Sequence, residues 1–412
     1  MNSLPDLAIF GKPTAFADKV HVGRPNIGNR EHLLARINDM LDRVWFTNNG
    51  PFVQEFESKI AAFVGVRHCV AMCNATVALE IAIRALGLTG EVIVPSFTFI
   101  ATAHALQWQE ITPVFCDIDP RTHNLDPSQV EKMVTPRTSG IIGVHTWGRA
   151  CDVSALEDIA RNRNLQLLFD AAHAFGCSYK GELIGGFGRC EVFSFHATKF
   201  FNTFEGGAVL TNDVVLAEKM RLMRNFGFHG YDNVIYIGTN GKMTEVCAAM
   251  GLTSLESVDE FIETNRRNHS VYARGLDGVP GVSVLAYDEH ERANYQYIVL
   301  EVDEPAAGLT RDELVEVLYA ENVLARRYFF PGCHRMEPYR SYFPHAFLVL
   351  PETERLCRRV MLLPNGTSVD ELAISRICQI LQTAVSNAPA VRAKLVGQTE
   401  PSTSACSAML GS

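Results

Sequence analysis

The stretch EVFSFHATKFFNTFEGGAVLTND, residues 191–213, places a lysine between two apolar segments. Its pattern predicts a strand over 192–195, a polar turn that carries Lys199, and a second strand over 208–211. Removing an ammonium group from water is costly, so a lysine at such a point favours a lowered pKa or an imine. A solvated loop lysine fits this stretch equally well.

A carboxylate follows another apolar segment further upstream. Residues 165–169 predict a buried strand, and Asp170 comes directly after it. An acid in this position is either a helix N-cap or a site residue at the carboxyl end of a strand. Pyridoxal phosphate chemistry requires both kinds of group, a carboxylate that keeps the pyridine nitrogen protonated and a lysine that holds the aldehyde. Asp170 and Lys199 together therefore favour a pyridoxal phosphate site.

Composition narrows the class of protein. The chain has 412 residues, 47% of them hydrophobic and 20% charged, which fits one large domain and a smaller one. A net charge of −9 argues against nucleic acid or an anionic membrane as partner. The eleven cysteines form no C-x-x-C pair and many lie in apolar segments, which indicates reduced thiols, and we expect no metal. Without a basic and apolar leader or an apolar run of ~18 residues, the sequence predicts a cytoplasmic protein.

Short apolar segments alternate with helical patterns through the first half of the chain. This alternation is typical of an α/β fold with a mostly parallel sheet and helices on both faces. The predicted strands are 69–73, 91–94, 113–118, 140–145, 165–169, 192–195 and 208–211. Ligands bind at the carboxyl ends of such strands, so the residues that follow each strand are the candidates for a site.

The rest of the chain suggests a second domain. A helical pattern over 244–274 leads into predicted strands at 282–286, 295–302 and 323–330, and into helices at 310–321 and 369–385. The predicted organisation is an N-terminal arm (1–30), a large cofactor-binding domain (31–260), a small C-terminal domain (261–388) and a disordered tail (389–412). The tail is predicted to be disordered because it is rich in Pro, Ser, Thr and Ala and lacks periodicity.

The sequence resembles the DegT family of nucleotide-sugar aminotransferases. The resemblance covers residues 46–387 and is strongest in GPFVQEFESKIAAFVGV (50–66), FDAAHAFG (169–176), SFHATKFFNTFEGGAVLTND (194–213) and GTNGKMTEVCAAMGLTSLE (238–256). It implies a pyridoxal phosphate enzyme of fold type I, with a large domain around a mostly parallel seven-stranded sheet and a smaller C-terminal α+β domain. It also implies a homodimer with shared active sites.

The resemblance assigns roles around the cofactor ring. Lys199 would carry the imine and move the proton during transfer. Some relatives that remove a hydroxyl group have histidine in its place, so the lysine favours transamination over dehydration. Asp170 would bond the pyridinium nitrogen. His173, where many relatives carry glutamine, would lie near the phenolate oxygen, and a core histidine is the equally weighted alternative.

A phosphate-binding turn is predicted after the first strand of the sheet. Relatives usually have Ser-Gly-Thr there, whereas this chain has Asn74, Ala75 and Thr76. The Ala75 amide and the Thr76 and Ser194 hydroxyls would bind the phosphate at the start of a helix, where the helix dipole favours an anion. Thr76 on its own could also be a helix cap.

Two further residues take their roles from the resemblance. Phe99, in PSFTFIAT, matches the aromatic residue that stacks on the cofactor ring, although such a residue is more often core. Asn240, in GTNGKM, matches the asparagine that reaches the phosphate of the neighbouring subunit, although beside glycine it could be a simple turn residue.

The segment 325–339, ARRYFFPGCHRMEPY, is basic and aromatic in an acidic chain. Arginine suits a pyrophosphate and aromatic rings suit a sugar or base, so Arg326, Tyr328 and His334 are predicted to bind substrate. Arginines at a domain interface are the alternative. The segment is similar to that of relatives that aminate carbon 4 of a dTDP-4-keto-6-deoxyhexose.

The sequence therefore predicts an enzyme that moves an amino group from an amino acid, expected to be L-glutamate, to a nucleotide-linked keto-deoxysugar. The expected acceptor is dTDP-4-keto-6-deoxy-D-glucose, which would give the 4-amino-4,6-dideoxy sugar. Amination at carbon 3 is the nearest alternative, and a sugar dehydratase is disfavoured by Lys199. A cofactor-binding regulator would need a DNA-binding module, which neither the arm nor the tail offers.

Overall fold

The computed structural model describes residues 5–399, without the side chains of residues 398 and 399. The strands are β1 (Val20–His21), β2 (His68–Met72), β3 (Glu91–Pro95), β4 (Thr112–Cys116), β5 (Thr138–Val144), β6 (Gln166–Asp170), β7 (Ser178–Tyr179), β8 (Glu182–Leu183), β9 (Cys190–Ser194), β10 (Gly207–Thr211), β11 (Val282–Val284), β12 (Ile298–Val302), β13 (Val323–Leu324) and β14 (Val360–Leu363). The helices are α1 (Arg30–Arg43), α2 (Pro51–Val64), α3 (Ala75–Ala85), α4 (Ile100–Gln107), α5 (Pro127–Met133), α6 (Val153–Arg163), α7 (Val214–Met223), α8 (Glu245–Glu256), α9 (Val258–Gly275), α10 (Glu304–Ala307), α11 (Arg311–Ala320), α12 (Tyr339–Tyr342), α13 (Pro351–Arg359), α14 (Glu371–Ser386) and α15 (Ala388–Thr399).

A seven-stranded sheet organises the larger part of the chain. Its strand order is β2-β10-β9-β6-β5-β3-β4, and only β10 runs antiparallel to its neighbours. The mostly parallel α/β sheet predicted from the alternation of segments is confirmed. Each of the seven predicted strands is present, with bounds that differ by a few residues.

Alternating residues of the strands pack against helices on opposite faces of the sheet. In β2, Val70 and Met72 belong to the core formed with α3, while Cys69 and Ala71 belong to the core formed with α2. Side chains on both faces are therefore removed from water, which explains why these strands read as continuous apolar segments. The carboxyl ends of β2, β3, β5, β6 and β9 lie at one edge, where the loops that follow them meet.

A second core lies in the C-terminal part of the chain. The antiparallel sheet β11-β12-β14 and helices α9, α11 and α14 supply most of it. The helical pattern predicted over 244–274 is in fact two helices, α8 and α9, which are separated at Ser257. The proposed domain boundary after residue 260 falls inside α9, so this helix connects the two groups of elements.

The sequence patterns were less informative in this C-terminal part. The strand predicted over 323–330 is limited to β13, after which the chain is irregular apart from a bridge between Arg326 and Leu362. Helix α13 and strand β14 were not predicted. Strand β14 is a run of four buried apolar residues, too short for periodicity to indicate its type.

The prediction of a disordered tail from residue 389 is wrong for residues 389–399, which continue helix α15. Ala388 and Val391 are buried in the C-terminal core, and Arg392 binds Glu313 at 2.8 Å. Burial and pairing of these side chains stabilise a helix that lacks a clear amphipathic pattern. Residues 400–412 of the predicted tail lie outside the described residues.

The N-terminal arm is attached to the C-terminal part of the chain. Strand β1 pairs in parallel with β13, and Leu7 and Ile9 are buried in the C-terminal core. The Glu321 carboxylate accepts hydrogen bonds from the amides of Ala8 (2.6 Å) and Ala15 (2.7 Å). The arm is thereby fixed before it reaches the edge of the large sheet.

No helix within residues 5–399 combines the length and apolar character needed to cross a membrane. Over the same residues, there is no group of three or more His, Cys, Asp and Glu side chains that could hold a metal ion.

Candidate active site

Lys199 lies in the turn that follows β9, at the carboxyl edge of the sheet. Its Nζ donates a hydrogen bond to the Tyr297 hydroxyl at 3.1 Å. Burial lowers the pKa of Lys199 to about 8, against the opposing effect of the Asp170 charge. Near neutral pH, a fraction of the molecules therefore carries an uncharged, nucleophilic amine at this position.

Asp170 is the last residue of β6 and its carboxylate is buried. Oδ2 accepts a hydrogen bond from Thr102 Oγ1 at 2.8 Å, and Oδ1 accepts one from the Ala172 amide at 3.1 Å. Burial raises the pKa of Asp170, while these bonds and the Lys199 charge lower it. The chain turns after Asp170 instead of starting a helix, so this acid is not a helix N-cap.

His173 is buried in a group of aromatic rings. Its Nδ1 accepts a hydrogen bond from the Trp147 amide at 3.3 Å, which leaves the proton of the neutral ring on Nε2. The ring lies nearly parallel to Trp147 and to Phe329, with centroids 6.0 Å and 5.8 Å away. Burial, and then the Lys199 charge, hold the pKa of His173 well below its ordinary value. His173 is therefore a neutral hydrogen-bond donor beside the Lys199 turn.

The predicted phosphate turn forms the start of helix α3. The Asn74 side chain caps the helix by accepting from the Val77 amide at 2.8 Å. The amides of Ala75 and Thr76 precede the first intrahelical bonds and point out of the helix start. Ser194 pairs with Gly207 across β9 and β10, and a Cβ on Gly207 would lie 2.6 Å from Ala75 N. The structure thus brings Ala75, Thr76 and Ser194 to one place.

Phe99 and Asn240 are both exposed, in contrast to the residues above. Phe99 precedes α4 with 55% of its surface exposed, so the alternative of a core phenylalanine is wrong. Asn240 lies on a segment that runs beside the end of β2, where the Cys73 amide donates to the Gly241 carbonyl at 2.9 Å. Within its own subunit, Asn240 therefore lies close in space to the start of helix α3.

Two of the three predicted substrate residues are connected to His173 by stacked side chains. The Arg326 guanidinium lies over the Tyr328 ring, 5.2 Å from its centroid. The Tyr328 ring stacks on Phe329 at 5.3 Å, and Phe329 in turn stacks on His173. Arg326 is exposed and Tyr328 is partly exposed, so both can meet a ligand.

The prediction that His334 contacts substrate is wrong. Its side chain is buried with only 2% of the residue exposed. Nδ1 bonds with Ser96 Oγ at 2.7 Å and Nε2 bonds with Glu354 Oε1 at 2.6 Å. Both ring nitrogens are already used, so His334 connects the end of β3 to α13 and has none left for a ligand.

Comparisons with known proteins identify the family. The model of the DegT/DnrJ/EryC1/StrS aminotransferase family matches residues 28–382. The chain belongs to this family. It is 41% identical over 314 residues to a Shigella dysenteriae dTDP-4-amino-4,6-dideoxy-D-glucose transaminase, covering 76% of this chain and 85% of that one. It is 37% identical over 331 residues to the GDP-perosamine synthase of Caulobacter vibrioides, covering 78% and 87%.

A solved structure agrees with this assignment. DesI, crystallised in the presence of its TDP-sugar product, superposes with a TM-score of 0.91 and 51% identity, covering 95% of this chain and 99% of DesI. The chain is thus a sugar aminotransferase with the fold type I architecture of pyridoxal phosphate enzymes.

Several residues of this aminotransferase's site were not predicted from sequence. The Thr102 hydroxyl donates a hydrogen bond to Asp170, and the Trp147 amide donates one to His173. The Tyr297 hydroxyl accepts one from the Lys199 amine. Trp147 is the second residue after a predicted strand, which is a signal that could have identified it. Tyr297 adjoins a strand of the small antiparallel sheet, and nothing local in the sequence indicates that it reaches Lys199.

The residues present fit pyridoxal phosphate by their chemistry. The site combines an amine of lowered pKa, a buried carboxylate, a neutral histidine and a helix start with two outward amides. These groups correspond to the aldehyde, the pyridine nitrogen, the phenolate oxygen and the phosphate of the cofactor. The close approach of Gly207 to Ala75 N shows that a side chain at residue 207 would fill this space.

Proposed function

We propose that this aminotransferase binds pyridoxal phosphate and moves an amino group from an amino acid, L-glutamate, to a nucleotide-linked keto-deoxysugar. The observation that carries the proposal is the pairing of Lys199, whose pKa is lowered to about 8, with the buried carboxylate of Asp170. A lysine of this kind is suited to nucleophilic attack and to proton transfer near neutral pH. The proposed subunit has an N-terminal arm (1–30), a cofactor-binding domain (31–260) and a smaller C-terminal domain (261–388).

When bound, pyridoxal phosphate supplies an aldehyde that accepts the amino group and a ring that delocalises electrons. Lys199 Nζ would hold the aldehyde carbon of the group and would serve as the base that carries a proton. The Tyr297 hydroxyl, 3.1 Å away, orients this amine. The negative charge of Asp170 would hold a proton at the pyridine nitrogen, and Thr102 keeps the Asp170 carboxylate in place.

The remaining site residues would hold the cofactor. His173 would donate from Nε2 to the phenolate oxygen, and Phe99 offers an exposed ring surface for stacking. Ala75, Thr76 and Ser194 would bind the phosphate at the start of α3. In the proposed homodimer, Asn240 of each subunit completes the phosphate site of the other.

For the acceptor we propose dTDP-4-keto-6-deoxy-D-glucose, aminated at carbon 4. The name of the Shigella relative and the DesI complex with a TDP-sugar support it. Arg326 and Tyr328 provide a cation and a ring for the nucleotide end. A GDP-linked 4-keto sugar is the second candidate, because GDP-perosamine synthases are 37% identical in Caulobacter and 32% identical in Escherichia coli O157:H7.

All ten cysteines within residues 5–399 are free thiols, which supports a cytoplasmic location.

The test is a substrate panel. Purified enzyme is incubated with glutamate and dTDP-linked or GDP-linked sugars that carry the keto group at carbon 4 or carbon 3, and products are identified by mass spectrometry and NMR. We expect the 4-amino-4,6-dideoxy product from the dTDP-linked 4-keto sugar and none from Lys199→Ala. Amination of only the GDP-linked or only the 3-keto compounds would replace the proposed acceptor, and no aminated product from any of them would refute the proposed function.

A further inference from the structure

A cavity beside the Lys199 turn contains an unsatisfied hydrogen-bond donor. This narrow cavity of about 20 Å³, which has room for one small polar group, lies between the N-terminal arm, the Lys199 turn and the small sheet. Gln296 lines it with 9% of the residue exposed, and Gln296 Nε2 is buried without a hydrogen-bond partner among residues 5–399. A buried amide nitrogen without an acceptor costs stability, and a water or a ligand oxygen in the cavity would supply one.

The other amides of the cavity wall are used within the protein. Asn26 Nδ2 donates to the Phe200 carbonyl at 3.0 Å, and Asn265 Nδ2 donates to the Asn294 carbonyl at 3.0 Å. Asn365 Nδ2 likewise donates to a backbone carbonyl, at 2.6 Å. Gln296 is thus the exception among the amide side chains that line this cavity.

The cavity also has a positive charge at its mouth. Arg24 lines it, is exposed, and makes no hydrogen bond or ion pair within residues 5–399. None of the described lining residues is an aspartate or glutamate. An arginine without a carboxylate partner, lining the same cavity as a buried amide donor, is suited to binding a small anion.

The backbone on each side of Arg24 holds it at this position. Gly23 has φ +76°, and a Cβ there would lie 3.0 Å from Thr198 Cβ, so the arm lies directly on the Lys199 turn. On the other side, Asn26 binds the Phe200 carbonyl and accepts from the Thr367 hydroxyl at 2.8 Å. The arm between these two contacts has little freedom, which lowers the entropic cost of binding an anion.

We propose that Arg24 and Gln296 bind a carboxylate of the amino-acid donor, so that the N-terminal arm is part of the donor site. This inference rests on the proposed function, because it identifies the donor's place in the same site. The cavity reaches Tyr297, which bonds to the Lys199 amine. In an α-amino acid the carboxylate and the reacting amine share one carbon, whereas a pyrophosphate is separated from the keto carbon by the sugar ring. Because the cavity lies close to the Lys199 amine, the anion bound there is expected to be a carboxylate near the reacting atom and not the more distant phosphate.

Binding of an unreactive dicarboxylate tests the inference directly. Glutarate, which has no amino group to transfer, is titrated into the cofactor-loaded enzyme by calorimetry. We expect saturable binding to the wild type, and affinity reduced at least about 10-fold in Arg24→Gln, because a charge-assisted hydrogen bond is lost. Arg67→Gln, an equal change of charge at an exposed residue just before β2, should bind glutarate like the wild type.

A second variant and a kinetic measurement complete the test. Gln296→Glu places a carboxylate where the unsatisfied amide lies and should also weaken glutarate binding at least about 10-fold. The two half-reactions are then measured separately, with glutamate alone and with the aminated enzyme plus keto sugar. Arg24→Gln should slow only the glutamate half-reaction at subsaturating donor.

Three outcomes would overturn the inference: no glutarate binding to the wild type, unchanged binding in Arg24→Gln, or an effect confined to the sugar half-reaction, which would indicate a phosphate site. Failure of the proposed function is distinguishable from these. It would appear as a wild-type enzyme that binds glutarate through Arg24 but aminates no nucleotide sugar.

Discussion

The reactivity of Lys199 depends on two effects that oppose each other. Burial removes water from the ammonium and lowers its pKa to about 8, while the charge of Asp170 limits that decrease. Tyr297 adds a hydroxyl contact that orients the amine without adding a charge. The pKa of a lysine so placed lies near physiological pH, whereas the ordinary pKa of an exposed lysine lies well above it.

The pH dependence of cofactor attachment tests this assignment. Only the neutral amine attacks an aldehyde, so attachment of pyridoxal phosphate to the cofactor-free enzyme should accelerate as pH rises, with a midpoint near pH 8. Attachment is followed by borohydride reduction and mass spectrometry of the Lys199 peptide. A midpoint near 10.5, the ordinary value for lysine, would show that burial does not lower the pKa of Lys199.

Asp170→Asn should preserve the fold and slow turnover. The amide is the same size and its oxygen can still accept from Thr102, but it lacks the charge that holds a proton on the pyridine nitrogen. We expect kcat to fall about 10²–10⁴-fold with cofactor still bound. Asp152→Asn, at an exposed acid that caps α6, is the matched control and should stay within about twofold of the wild type. Equal activity in the two variants would mean that Asp170 has no electronic role.

Site residues next to the ends of strands could be predicted from the sequence. Site residues that come from distant segments of the chain could not. Asp170 directly follows one predicted strand, Ser194 lies near the end of another, and Lys199 lies in the turn after it, so strand-end reasoning places them at one edge. Tyr297 comes from the small sheet and Arg24 from the arm, and only the tertiary packing brings them to that edge. His334 shows the converse error, because a polar residue in a basic and aromatic segment proved to be a buried connection.

The alternation of short apolar segments with helical patterns predicts the strands of the large sheet better than it predicts their order. Each of the seven strands of the large sheet was predicted, yet the insertion of antiparallel β10 between β2 and β9 has no local signal. Helix α15 was missed for a related reason. Its stability comes from packing against elements distant in sequence, and composition alone suggested an irregular tail.

Helix α15 offers a stability test at this scale. Val391 is fully buried against the C-terminal core, so Val391→Ala should lower the free energy of unfolding by about 2 kcal/mol, through lost apolar burial and the cavity that remains. Leu372→Ala, at a side chain of α14 that is 80% exposed, should change it by less than about 0.5 kcal/mol. Urea unfolding followed by circular dichroism measures both. Equal effects would mean that α15 is not packed in solution.

The surface of the subunit includes an apolar cluster that suggests an interface with another subunit. Leu41, Val44, Trp45 and Phe46 are consecutive or nearly so and all are exposed at the end of α1. Exposed apolar side chains in such a cluster indicate a surface that another protein covers, and a second copy of this chain is the partner we propose. This supports the homodimer but leaves open which subunit's phosphate Asn240 would contact.

Mixing two inactive variants distinguishes a shared site from a site within one chain. Asn240 lies beside the start of its own α3, so a role within its own subunit is a real alternative to one in the partner. If the site is shared, a dimer of one Lys199→Ala and one Asn240→Ala subunit has one site with both residues and one with neither. If it is not shared, each of its two sites lacks one of them.

The shared arrangement predicts one repaired site per mixed dimer. Loss of the Asn240 donor should weaken cofactor binding in the Asn240→Ala homodimer by roughly 1–3 kcal/mol, since the bond is to a charged phosphate. The mixed dimer, separated by two different affinity tags, should attach one cofactor per dimer on borohydride reduction, with wild-type affinity and about half the wild-type turnover. Attachment with only the weakened affinity of the Asn240→Ala homodimer would place Asn240 in its own subunit's site. An active monomer in sedimentation at assay concentration would exclude the shared site altogether.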